Sequence, residues 1–329
     1  MKISIITDGN NKLGLGHIYQ SLSLADALNK KLGKNLMLQF ITKSDEKICS
    51  FIHSFGYDVE HFENDNLIFE KLKTDKPDRI IFDKLDVAPD LAYKIKNELH
   101  TKLIIFTNLT EANNYADISV LADIGSNFKN IVNKDRISGK IEYFGPRFWM
   151  LRPEFYTLKD KIKVYKDIVT DIMLIFGGSD PSNISSFVLN ELLQIDSEFN
   201  ILLVLGSSFK HNEELNAVLD KNKSSKSKVN IVKNMTNVGE AMYKSDVVFA
   251  SPGLSFFESL AVGTPVIGFH QNELQRDVYA DILPTMGIAD LHNLNSIIKN
   301  KSFLFPSDPI IKSMEIGEGK DEIINEILT

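Results

Sequence analysis

The sequence predicts an α/β protein built from two doubly wound, Rossmann-type domains with a cleft between them. Three observations carry that prediction. Short apolar runs alternate with amphipathic stretches along the whole chain, each half opens on a strand running into a glycine turn and a helix, and a charged, proline-bearing stretch interrupts the rhythm midway. Length agrees, because 329 residues exceed what one core usually fills.

In the first half, the runs Ile3 to Thr7, Leu36 to Ile41, Arg79 to Asp83, Leu103 to Thr107 and Ile118 to Leu121 read as strands. In the second half the strands are expected at Ile172 to Phe176, Ile201 to Leu205, Asn230 to Val232, Val247 to Ala250 and Val266 to Phe269. Between them, segments such as "IYQSLSLADALNKKL" and "ISSFVLNELLQI" repeat apolar residues every three or four positions, as helices do. Strands apolar on both faces and joined by helices imply parallel sheets with right-handed crossovers. The stretch "LRPEFYTLKDKIKVYKDIVTD", residues 151–171, marks the junction, giving domains at 1–155 and 156–329. In such sheets ligands sit outside the carboxyl ends of the strands, where the glycine turns fall.

Composition narrows the function classes. A net charge of −7, without long blocks of one sign, argues against a strongly basic nucleic-acid face but leaves a local basic patch open. Cys49 is the only cysteine, so neither an internal disulfide nor a cysteine-built zinc site can form. "MKISIITDG" reads as a first strand rather than a signal peptide, and no run approaches the roughly 18 apolar residues of a membrane span. A soluble, cytoplasmic protein is the expectation.

The first glycine turn, "NNKLGLGHIYQ", fails as a dinucleotide fingerprint. Gly14 and Gly16 supply G-x-G, but Tyr19 stands where a third glycine belongs, and Gln39 rather than an acid follows on the second strand. The turn still lets backbone approach a ligand closely. His17 has two readings: a helix-start residue bonded to a loop carbonyl, or an acid/base group at the rim of a cleft. The positive end of a helix favours neutral imidazole, so the second reading is preferred. The remaining histidines are scattered, without metal-ligand spacing.

"FGGSDPSN" is the second glycine turn. It is either a plain strand-to-helix turn capped by Asp180 or Ser182, or a ligand loop in which Gly177, Gly178, Ser179 and Asp180 meet a sugar or diphosphate. The segment "ASPGLSFFESLAVGTPVIGFHQNELQ" is richer. Ser251-Pro252-Gly253 makes a tight turn, and after Leu254 Ser255 is placed to cap a helix whose first turn carries Glu258, with Ser251, Gly253 and Leu254 counted with them on the nucleotide. A helix start with hydroxyls beside it suits a diphosphate without metal, and Glu258 suits a ribose. The alternative for Glu258 is a carboxylate complementing the helix dipole. "GLSFF" lacks the second glycine of a nucleophile elbow.

Together, "GLGHIYQSLSLA", "FGPRFWMLRPEF", "FGGSDPSN" and "SPGLSFFESLAVGTPVIGFHQNELQ" resemble the PseG/SpsG-like nucleotide-sugar proteins of the GT-B fold, with MurG-type glycosyltransferases more distant. The resemblance spans about residues 1 to 290. It implies His17 as catalytic base, Gly177 to Asp180 lining the cleft, Ser255 and Glu258 on diphosphate and ribose, and Asn272 and Gln275 near an asparagine–glutamine segment. Arg152 and Phe155 match the connector. Three positions depart from the family pattern: Gln20 replaces an arginine, Lys84 and Leu85 follow Asp83 where a histidine–tyrosine pair is usual, and Asn108 stands in place of paired aspartates. All three lie on the sugar-facing side, where Gly14, Gly16, Gln20, Asp83 and Asn108 are the expected substrate contacts.

The resemblance therefore implies metal- and cofactor-independent hydrolysis of a UDP-linked amino-deoxy sugar, serving nonulosonic-acid (pseudaminic-type) or surface-polysaccharide synthesis. Two further readings stay open: an inverting glycosyltransferase, and a non-catalytic nucleotide-sugar-binding protein. The identity of the nucleotide rests on the resemblance alone.

Overall fold

The computed structural model describes residues 1–9, 15–122, 129–279 and 285–329. These divide into two compact units. One holds the first strand with His17–Pro153 and Met314–Thr329, and the other holds Glu154–Ser313.

The first unit contains strands β1 (Lys2–Thr7), β2 (Met37–Thr42), β3 (Asp58–His61), β4 (Arg79–Asp83), β5 (Lys102–Phe106), β6 (Ile118–Leu121), β7 (Ile131–Lys134) and β8 (Ile141–Phe144). They form one sheet in the order β3-β2-β1-β4-β5-β6-β8-β7, parallel except where β7 runs against β8. Its helices are α1 (Gly16–Leu32), α2 (Glu46–Ser54), α3 (Asp65–Asp75) and α4 (Pro89–Lys94). Capping fixes where two of them start: Asp45 accepts from the Ile48 N–H and Asn64 from the Leu67 N–H. β1 is buried from Ile3 to Thr7 on both faces, as a central parallel strand must be.

The second unit contains β9 (Asp171–Ile175), β10 (Asn200–Leu205), β11 (Lys228–Lys233), β12 (Val247–Ala250) and β13 (Val266–Gly268) in the order β11-β10-β9-β12-β13, all parallel. Helix α5 (Pro153–Leu158) leads in, and α6 (Ile184–Gln194), α7 (Asn212–Lys221), α8 (Val238–Lys244), α9 (Leu254–Ala261), α10 (Glu273–Tyr279), α11 (Leu294–Lys299) and α12 (Pro309–Ser313) follow. Ile172, Leu174, Val188, Leu192, Leu203 and Phe249 are among its core residues. Lys163, in the lead-in segment, donates to the carbonyls of Tyr243 and Ser245 and to Thr264 Oγ1, and burial draws its pKa down to about 8.

Two expectations change. β3, β7 and β8 are absent from the sequence-based strand assignment, and the second domain ends at Ser313 rather than Thr329. The last helix, α13 (Lys320–Leu328), returns to the first unit. It is held there by backbone carbonyls: Ile327 accepts from Arg79 Nε at 2.8 Å and Glu326 from Lys102 Nζ at 2.7 Å. Gly319, just before it, packs so tightly on Phe148 that an added Cβ would lie 2.5 Å from the ring.

Candidate active site

In both sheets the strand order reverses beside the first strand of the unit, between β1 and β4 and between β9 and β12. In sheets of this type the loops leaving the carboxyl ends of the two strands at such a reversal go to opposite faces, and the space between them is the usual ligand position.

At the first reversal, Thr7 and Asp83 stand in register as the last residues of β1 and β4. α1 begins beside them, with His17 as its second residue. His17 Nδ1 lies 2.8 Å from Asp83 Oδ1, and Ser21 Oγ donates to Asp83 Oδ2 at 3.1 Å. Burial pushes the Asp83 pKa up, opposed by its bonds to His17, Ser21 and Gln20. A carboxylate on Nδ1 fixes the imidazole tautomer and leaves the basic lone pair on Nε2. Asp83 was expected to contact substrate. It is 1% exposed, and its place is behind the histidine, which it orients.

The three departures from the family pattern resolve differently. Gln20 Nε2 donates to Thr107 Oγ1 at 3.0 Å, while its Oε1 is buried without a partner. Thr107, directly after β5, has φ of 55°, a strained state for a β-branched residue and one that concentrates at functional sites. Lys84 makes a buried ion pair with Asp8, Nζ to Oδ2 2.7 Å, one residue beyond the Thr7–Asp83 rung. Burial works to raise the Asp8 pKa, but the Lys84 and Lys43 groups outweigh it and hold it low. Asn108 is occupied internally: Oδ1 accepts from the Val87 N–H, and Nδ2 contacts Thr110 and Asn113. It ties the loops after β4 and β5 together. Gly16 has open space around it, and Gly14 lies outside the described residues.

At the second reversal, the turn after β9 and the turn after β12 face one another across the sheet order. Gly177 has φ of 86° with no atom within 4 Å of an added Cβ. Gly178 serves a close approach: a Cβ on Gly206 would fall 2.2 Å from the Gly178 carbonyl oxygen. Gly206→Ala is therefore expected to lower stability by about 1–3 kcal/mol and to displace this turn, measurable by denaturant unfolding. Asp180, itself at φ 43°, accepts from the N–H groups of Ile184 and Ser185, so the start of α6 is already filled by its own carboxylate. Ser179 is nearly buried beside it.

The start of α9 is different. Its N-cap is Gly253, at φ 134° with open space around it, and not Ser255 as expected. Phe256 and Phe257 donate to the Gly253 carbonyl, whereas the N–H groups of Leu254 and Ser255 have no protein partner among the described residues. Two open amides and the hydroxyls of Ser251 and Ser255 thus sit at a positive helix end, a combination suited to phosphate oxygens. Glu258 falls in the second turn of α9, not the first, and is fully buried.

One residue here was not anticipated. Gln271, after β13, places Nε2 within 3.0–3.2 Å of Phe176 O, Asp180 Oδ1 and Ser251 Oγ, its two protons shared among the three, and its Oε1 accepts from the Ser182 N–H. Ser182 Oγ donates to its carbonyl. The flanking residues that were anticipated play supporting parts. Asn272 Oδ1 accepts from the Gln275 N–H, and Gln275 joins the Gln271 N–H to the Pro252 carbonyl. Only "HQNELQ" as an amide-rich loop signals Gln271 in the sequence.

Two doubly wound α/β domains in one chain, each on a largely parallel sheet, are the GT-B architecture. MurG of Acinetobacter baumannii covers 100% of the chain over 99% of its own, with a TM-score of 0.63 at 11% identity. The UDP-GlcNAc 2-epimerase of Neisseria meningitidis, solved bound to UDP-GlcNAc, covers 100% over 99% of its own, with a TM-score of 0.61 at 12% identity. Among curated sequences, the uncharacterized protein MJ1062 of Methanocaldococcus jannaschii is 41% identical over 99% of this chain, which spans 66% of that relative's length. The spore coat polysaccharide biosynthesis protein SpsG of Bacillus subtilis is 25% identical over 96% of this chain and 93% of its own. No protein-family model matches the chain.

Proposed function

We propose that the chain acts on a nucleotide-sugar, cleaving a UDP-linked amino-deoxy sugar at the anomeric carbon with water. The observation that carries this reading is the His17–Asp83 pair at 2.8 Å, an oriented base at the crevice where this sheet type holds its ligand. The name of SpsG, and an epimerase of the same fold that binds UDP-GlcNAc, support a nucleotide-sugar as the substrate class.

In this reading His17 Nε2 takes a proton from the attacking water while the C1–O bond to the diphosphate breaks. The sugar carbon develops oxocarbenium character, and negative charge grows on the departing diphosphate. The Leu254 and Ser255 amides, the Ser251 and Ser255 hydroxyls and the dipole of α9 stabilise that charge as it forms. Gly177 and Gly253 give the ligand room, Thr107 and Gln20 shape the sugar side, and Asn272 and Gln275 stand on the nucleotide side, with Glu258 fully buried and so removed from direct contact with the ribose.

Transfer to a sugar hydroxyl is the second reading, favoured by the Lys84–Asp8 pair and Gln20 on the sugar side and by the MurG likeness in fold. Incubation with a panel of nucleotide-sugars and no acceptor separates the two. Free sugar and nucleoside diphosphate released at a catalytic rate are the expected result. Binding without turnover until an acceptor is added would reassign the chain as a transferase, and binding without turnover under either condition as a sensor.

A further inference from the structure

We infer that Gln271 is a positioning residue for diphosphate binding, acting by setting the direction of the Ser251 hydroxyl. This rests on the nucleotide-sugar reading above and adds to it a role that neither the motifs nor the relatives assign.

The orientation of the Gln271 amide follows from its neighbours. Nε2 stands beside a carbonyl oxygen (Phe176) and a carboxylate oxygen (Asp180), neither of which has a proton to give. The Ser182 N–H, which can only donate, points at Oε1. The NH2 group is therefore the one that faces Ser251 Oγ at 3.0 Å. An amide nitrogen accepts no hydrogen bond, so Ser251 Oγ can only take a share of the two Nε2 protons as an acceptor, and its own proton must point elsewhere. Among the described residues nothing receives that proton. Ser251 is half-buried, immediately before the turn to the open amides of α9. A diphosphate oxygen at that helix start would meet two N–H donors and, because of Gln271, a third donor from the serine. The same side chain braces the turns after β9 and β12 through Phe176, Asp180 and Ser182, so the three donors keep one geometry.

The test is titration calorimetry with UDP on the full chain, comparing wild type, Ser251→Ala, Gln271→Met and the double variant, with thermal unfolding alongside. Each single substitution is expected to weaken UDP binding about tenfold, the size of one hydrogen bond to a charged group. The double variant is expected to bind no more weakly than the weaker single variant, because both remove one donor. Where turnover is measurable, KM should rise by more than kcat falls. Wild-type affinity in Gln271→Met, or losses that multiply in the double variant, overturns the inference while leaving the nucleotide-sugar reading in place. Should Gln271→Met fail to fold, isosteric Gln271→Glu replaces it. Its carboxylate would draw the Ser251 proton to itself, so the loss should be at least as large, and unchanged affinity is equally fatal. A wild-type chain that binds no UDP overturns the inference and the nucleotide-sugar reading together.

Discussion

His17→Gln is expected to lower turnover of the nucleotide-sugar by about 10²- to 10⁴-fold with little change in UDP affinity. The side chain sits at the start of α1, where Asp83 is one of its partners, and the amides at the start of α9 are backbone groups of a separate helix, so the substitution removes a base and leaves those donors in the chain. Glutamine spans a similar distance and can still donate to Asp83, which keeps the carboxylate hydrogen-bonded and the crevice intact. The loss should therefore fall on kcat, because a base acts in the transition state and adds little to ground-state binding. Steady-state kinetics with far-UV circular dichroism as a folding control checks this. Near-full turnover in the variant would remove His17 from the chemistry.

How much of this was legible beforehand depends on what each feature needs. Central strands announce themselves, because a run such as "KISIIT" is apolar on both faces and only a doubly covered parallel strand requires that. β3 and β7 do not, since edge positions leave "DVEH" and "IVNK" mostly exposed and remove the apolar signature, and β8, paired on both sides, is only four residues long and alternates buried with half-buried positions. α13 reads as an ordinary amphipathic helix, and nothing local tells which unit will receive its apolar face. His17 and Asp83 could each be singled out from their motifs, but 66 residues separate them. Their pairing follows only from strand order, which sets β4 beside β1. At α9 the expected serine cap failed because Gly253, two residues earlier, permits at φ 134° the sharp entry angle that a residue with a Cβ resists. Gln271 was hidden for a related reason: its importance lies in three partners drawn from loops up to 95 residues away.

The second large effect concerns Asp83, where activity and stability are expected to move in opposite directions. Asp83→Asn should lower kcat by roughly 10²-fold or more, because an amide no longer enforces the tautomer that leaves Nε2 basic. The buried carboxylate is costly to ionise. Its folded pKa lies above the unfolded value of about 3.9, so the folded state holds the proton more tightly than the unfolded chain does. That difference penalises the native state fully above the folded pKa. The penalty shrinks as pH falls through that value and vanishes below about pH 4. Asparagine never ionises, so relative to wild type the variant should gain stability as pH rises from about 4 to neutrality. Paired denaturant titrations across that range, set against kcat at pH 7, measure both sides. A variant that lost stability at neutral pH more than at pH 4 would mean the carboxylate is there to hold the fold. A gain in stability with loss of turnover would mark it as a strained group kept for the histidine it orients.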